Sequence, residues 1–245
     1  MHSWLAIQSV FVHSAWAGIK LLIGYRALAE GAEPFELGVV IAALSAPTLL
    51  VAVPIGIFAD RVRGRVVIIL GCVISVLATV LLLTSSGMLL LMLCSMLFGL
   101  GHMMYVVGQQ HVVASNANNS RSDRDFGHLL ATASLEQLLG PLIIAAVVSG
   151  LGSQSSVERG STDIGFLLTG VVVLVSIPMT FWFQSGSKTV RTAESLAKLL
   201  PFSLLKTEGL WRSLLVSGVV IASMDLLYIY LPSWGEQRGI GIGMV

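Results

Sequence analysis

The chain has 245 residues, 55% of them hydrophobic and only 11% charged, with a formal net charge of +1 and a mean hydropathy of +0.88. Soluble domains carry about 25% charged residues, so this composition excludes a water-exposed globule of this size and makes lipid the solvent of its surface. The total charge says little, but its distribution along the chain is informative.

Seven apolar stretches are long enough to cross a hydrocarbon core of about 30 Å, which takes roughly 20 helical residues. They run Trp4–Leu28, Leu37–Phe58, Val66–Thr84, Met88–Ala114, Leu129–Gly150, Ile164–Gln184 and Arg212–Pro232. None alternates polar and apolar residues as barrel strands do, and lipid offers no partner for backbone groups, so the expected fold is an all-α membrane bundle. The N-terminus lacks the basic region and cleavage site of a signal peptide, so the first run is read as a span. Gly31 and Pro34, Ser85-Ser86-Gly87, Asn116–Ser120 and Gly152–Ser156 supply the short turns. One long connection, Ser185 to Trp211, carries Lys188, Arg191, Glu194, Lys198, Lys206 and Glu208, and its Ala193–Leu200 fits a short surface helix. The expected layout is a six-span bundle over 1–185, a loop over 186–211, and the first span of a second bundle over 212–245. The end at Gly241–Val245, where another apolar run begins, reads as a truncation.

Lysine and arginine orient the chain. Arg61, Arg63, Arg65, Arg121, Arg124, Lys188, Arg191, Lys198, Lys206 and Arg212 fall on one side, and Arg26 and Arg159 on the other. The first group is expected in the cytoplasm together with the N-terminus. A faint repeat aligns Gly31 with Gly239, as if span seven repeated span one.

The turn between spans two and three reads G-I-F-A-D-R-V-R-G-R over Gly56–Arg65. With the span layout, it resembles the major facilitator superfamily, whose loop signature is G-x-x-x-D-R-x-G-R-[RK]. Gly56, Asp60 and Arg61 match in register, and Gly64 and Arg65 match after one extra residue. Span four has Gly99 and Gly101 of the family's R-x-x-x-G-x-G, with Ser95 at the arginine position. Span five has Gly127, Gly140 and Pro141 of the antiporter pattern G-x8-G-x3-G-P-x2-G-G, while Glu136, Ile144 and Ala145 replace glycines. The resemblance implies two six-span bundles rocking around a central cavity, 12 spans in a full member, no covalent chemistry and no cofactor. It implies that the loop signature latches the bundles on the cytoplasmic face, and that Gly140-Pro141 is a hinge.

Ionisable groups inside a span cost at least ~2.5–3.5 kcal/mol each and need a partner or a wet cavity. They are His13, Lys20, His102, Glu136 and Asp225. His13, Ala17, Lys20 and Gly24 share one face of span one, expected to look into the cavity. Lys20 and Asp225 lie at similar depth and are read as a substrate- or proton-binding pair, with Lys20 reaching the headgroups as the rival. Glu136 sits about 15 Å of rise past Phe126, near the midplane, where reversible protonation suits a carboxyl. His102, Tyr105 and Gln109 share a face of span four and either hydrogen-bond a polar or aromatic substrate or pack between helices. Arg26, after Tyr25, either holds an anion at the outer mouth or anchors the span at the interface. His111 and His128 lie near the cytoplasmic boundary, and Pro47, Pro54, Pro141 and Pro178 should kink their helices.

Cys72 and Cys94 lie in apolar runs without metal-ligand spacing. No Walker loop, Ser/His/Asp set or H-E-x-x-H appears, and nothing indicates nucleic acid. The reading is a permease of the bacterial inner membrane, not an enzyme. It moves a small molecule with proton coupling, export being favoured over uptake, with lipids as its surroundings. The rivals are a receptor or scaffold, and an intramembrane enzyme using His102 or Asp225. If Lys20 and Asp225 pair, solute flux lost in Lys20→Asp and in Asp225→Lys recovers in part in the double variant; no recovery argues against direct pairing.

Overall fold

Hydrocarbon gives the backbone no partners, and the chain answers with helices. The computed structural model describes residues 3–116, 127–128, 131–132, 134–135, 139–143, 146, 159–182 and 210–238. The helices are α1 (Ser3–Ala29), α2 (Pro34–Arg61), α3 (Gly64–Thr84), α4 (Met88–Asn116), α5 (Arg159–Ser176) and α6 (Leu210–Gln237). A 3-10 turn, Ile177–Phe181, continues α5. No strand occurs among the described residues.

Among the described residues, five helical stretches are long and apolar enough to cross a membrane. They answer to expected spans one to four and six. Helix α6 covers the expected seventh run, Arg212–Pro232. Span five lies largely outside the described residues, as do the turns after α4 and before α5 and the long basic connection.

The helix ends follow from local chemistry. Gly31 and Gly87 close their turns at φ +84° and +87°, a region that side chains other than glycine rarely adopt. Glu33 and Glu36 form a capping box at the start of α2, with the Glu33 N–H donating to Glu36 Oε2 at 2.9 Å and Pro34 in the first turn. Helix α2 therefore begins three residues before its apolar run and carries Pro47 and Pro54 inside it. Pro178 lacks an N–H for an α-helical bond, and here the end of α5 narrows to the 3-10 turn.

Helix α4 is the centre of the packing. A Cβ added to Gly71 of α3 would sit 2.6 Å from the Gly101 carbonyl oxygen and 2.7 Å from the Tyr105 nitrogen. Nearer the α2–α3 turn, a Cβ on Gly108 would sit 2.9 Å from the Gly64 carbonyl oxygen. Gly99 faces the other way and abuts the Leu44 carbonyl of α2. Small residues let backbones touch where lipid removes the hydrophobic drive between helices. The sequence signature suggests that Gly56 also serves close approach, but a Cβ there meets nothing within 4 Å. In that loop the close contact belongs to Gly64.

Gly71→Ala is expected to lower stability by about 1–3 kcal/mol through overpacking. Gly38→Ala, which meets open space on α2, should be neutral or slightly stabilising. Thermal unfolding of the two variants in one detergent compares them; equal midpoints would refute the α3–α4 seam.

Candidate functional site

Three faces of α4 point in three directions. Gly101 and Gly108 meet α3, and Gly99 meets α2. Phe98, His102, Tyr105 and Gln109, spaced four, three and four, share the remaining face. That face meets His13, Trp16 and Lys20 of α1.

The rings form one layered wall. The Trp16 indole stacks on the His102 imidazole with centroids 3.9 Å apart and planes 5° from parallel. Phe98 lies parallel to Trp16 at 5.9 Å. His13 stands edge-on to His102 at 5.2 Å and to Tyr105 at 5.6 Å. Lys20 Nζ sits over the Trp16 ring at 5.2 Å, in range of a cation–π attraction. Tyr105, Gln109 and Lys20 are buried, whereas His13, Trp16 and His102 are half-buried.

Hydrogen bonds fix the order of this wall. The Gln109 Nε2 donates to Tyr105 Oη at 3.4 Å, which leaves Gln109 Oε1 to accept from His13 Nε2 at 3.3 Å. His13 is therefore the Nε2–H tautomer. His102 Nε2 is buried and makes no hydrogen bond among the described residues.

A second polar centre lies at the far end of α1. Arg26 has no exposed side-chain surface. Its Nη2 meets Asp163 Oδ1 of α5 at 2.5 Å, and its Nη1 donates to the Thr162 hydroxyl at 3.0 Å. Nη2 also reaches the Leu82 carbonyl of α3 at 3.4 Å, Glu30 lies 3.6 Å from Nε, and the Phe166 ring lies under the guanidinium. Glu30 accepts in turn from the Gly87 N–H at 3.0 Å. This network joins α1, α3, the α3–α4 turn and α5. Tyr25 and Arg26 are both fully buried, so they do not anchor α1 among headgroups, which is a correction to the sequence reading. At the opposite end Gln8 donates to the Ser176 carbonyl at 2.8 Å, and Trp4 packs on Trp182.

At the loop signature, Asp60 Oδ1 faces His111 Nε2 of α4 at 3.8 Å. Arg61 is exposed and Arg65 is half-buried. Ser95 is buried, and its hydroxyl turns back onto the Leu91 carbonyl at 2.7 Å. Gly140 packs directly against Ser14 and Ala17 of α1, with Pro141 next in the same helical segment. A cavity of about 150 Å³ beside it, bounded by Phe11, Ser14, Gly140 and Val172, is too small and apolar for a solute site. Glu136 lies outside the described residues, as does the side chain of Asp225. No group of three His, Cys, Asp or Glu among the described residues is placed to hold a metal.

Of the expected site residues, the structure brings together Lys20, His102, Tyr105 and Gln109, and sets Arg26 apart. It adds Trp16, overlooked among apolar neighbours, and gives His13 a defined partner. The spacing His13, Trp16, Lys20 on one helical face was the signal that could have found them.

Several solved structures share this fold. The sequence model of the Major Facilitator Superfamily matches residues 5–245. Among curated proteins, none matches the sequence. A bacterial homolog of the human lysosomal transporter Spinster, solved inward-facing and unoccupied, has a TM-score of 0.74 at 13% identity over 98% of this chain and 56% of its own. The nucleoside transporter NupG gives 0.67 at 14% identity over 93% and 56%. A POT family transporter in complex with a thioalcohol-conjugated peptide gives 0.62 at 16% identity over 94% and 47%. The chain thus spans about half the length of these structures.

Asp163→Asn removes the shortest carboxylate contact of the buried Arg26 guanidinium, leaving Glu30 at 3.6 Å, and is expected to cost about 3 kcal/mol. Arg26→Met combined with Asp163→Leu removes the guanidinium together with that carboxylate and should cost less than Asp163→Asn alone. Unfolding midpoints of the variants test this, and a double variant less stable than the single one would refute the joint.

Proposed function

The chain belongs to the major facilitator superfamily, and we propose that it works as part of a secondary transporter that moves a small molecule by alternating access. The α1–α4 wall carries this reading. It gathers an ammonium, two imidazoles, a phenol and an amide inside the membrane-crossing part of the chain, where each is expensive unless used. Lys20, His102, Tyr105 and Gln109 line the substrate path for a polar or aromatic solute. Asp225 faces Lys20 across the cavity, and Glu136 carries the coupling proton. Arg26 holds the outer end of α1 in register with α5.

The N-terminus is cytoplasmic, which puts the Arg61–Arg65 loop inside and Arg26 outside. On that inner face Gly56, Asp60, Arg61, Gly64 and Arg65 form one side of the latch between bundles. The open surface over Gly56 leaves room for such a partner. Gly140 and Pro141 act as the span-five hinge, and their partial antiporter pattern favours export from a bacterial cell across its inner membrane. A receptor would bind solute without moving it, and an enzyme would alter it.

Everted and right-side-out vesicles from expressing cells, given an imposed pH gradient and a panel of polar aromatic solutes, test the proposal. Solute is expected to accumulate against its gradient in everted vesicles only. Glu136→Gln should cut gradient-driven flux at least tenfold and spare solute counterflow. Binding without flux would favour the receptor.

A further inference from the structure

Two imidazoles face each other inside one membrane bundle, and their surroundings differ. His13 has its Nε2–H committed to Gln109 Oε1 at 3.3 Å. His102 has a buried Nε2 with no hydrogen bond among the described residues. The His102 ring lies flat on the Trp16 indole at 3.9 Å and 5°. An imidazolium stacked on indole gains a cation–π attraction that a neutral ring lacks, and most when water is excluded. The edge-on His13 ring, 5.2 Å away, makes a second proton on the pair costly, because two like charges at that range repel.

We propose that His102 is a proton-carrying group of this chain, with Trp16 as the face that stabilises its charged form and His13 as the positioning residue that limits the pair to one proton. The proton arrives from water on the His102 ring nitrogen that is neutral at the time, and returns to water when the cavity opens on the other side. No bond other than N–H forms or breaks. Its use in coupling rests on the transporter reading above, and adds a second carrier to Glu136.

The groups that bear on this titration can be named. On α1 Lys20 sits over the outer indole at 5.2 Å and opposes a second positive charge nearby. On α4 the Tyr105 phenol faces His13. Helix α2 carries its ionisable residues only at its ends, Glu36, Asp60 and Arg61. Helix α3 has Arg65 at its start and Cys72, which contacts Ser176. Helix α5 has Arg159 and Asp163 in its first turns, the latter engaged by Arg26. Glu136 and the Asp225 side chain lie outside the described residues.

Trp16 reports on this proton directly, because a protonated imidazole in stacking contact quenches indole fluorescence. The chain has five tryptophans, so Trp4, Trp182, Trp211 and Trp234 are each changed to Phe to leave Trp16 alone. Purified protein in detergent is then titrated from about pH 8.5 to about pH 4.5, the span that brackets the imidazole. Emission is expected to fall with one midpoint. The fall should vanish in His102→Gln and persist with its midpoint moved upward in His13→Gln. Circular dichroism checks that the variants fold. If His102→Gln does not, the same titration of the five-tryptophan protein against its Trp16→Phe variant decides.

In vesicles, His102→Gln is expected to cut pH-gradient-driven flux by a larger factor than it cuts solute counterflow. A flat titration, a fall that survives His102→Gln, or gradient-driven flux unchanged in that variant would each overturn the proposal. If the parent protein moves no solute under any gradient while the titration is intact, the transporter reading fails and the coupling role falls with it.

Discussion

The bundle depends on how closely α3 can approach α4. Lipid tails are as apolar as leucine, so burial against a neighbouring helix gains little over burial in lipid. What remains is contact, and Gly64, Gly71, Gly101 and Gly108 bring the two backbones within reach of each other. The seam also sets the rotation of α4 about its axis. With Gly101 and Gly108 held against α3 and Gly99 against α2, the Phe98, His102, Tyr105 and Gln109 face has one direction left, toward α1. The chemistry of the candidate site is thus a by-product of where glycines sit two faces away.

Polar groups supply the second level of specificity. Gln8 reaches Ser176 and Arg26 reaches Asp163, so α1 is tied to α5 near both of its ends. The mid-part of α1 carries the His13 imidazole and the Trp16 ring, both half-buried. A helix held near both ends keeps its ring-bearing middle in a fixed geometry against α4.

Spans one to four and six were legible because composition and run length report the solvent directly. The turns at Gly31 and Gly87 and the capped start of α2 were legible because local chemistry determines them. Helix α5 begins five residues before its apolar run and loses α-form at Pro178, so hydropathy marked its membrane-embedded part and not its ends. The place of Arg26 was not legible. Its partner Asp163 lies 137 residues away, and position near a span end suggested headgroups. Trp16 was hidden for a related reason. An aromatic residue in an apolar run looks like any other lipid-facing side chain until the helix opposite is known. Lys20, His102, Tyr105 and Gln109 were found because polar residues in such runs are conspicuous, but the stacking that relates them depends on the rotation of α4.

The buried guanidinium also bears on how the protein is made. Helix α1 is the least apolar of the five membrane-crossing stretches and the most buried. It is also made before α5. At roughly 5–20 residues per second, the ribosome needs about 7–27 s to add the 137 residues between Arg26 and Asp163. For that interval α1 holds two cations, Lys20 and Arg26, without the α5 carboxylate that later receives one of them.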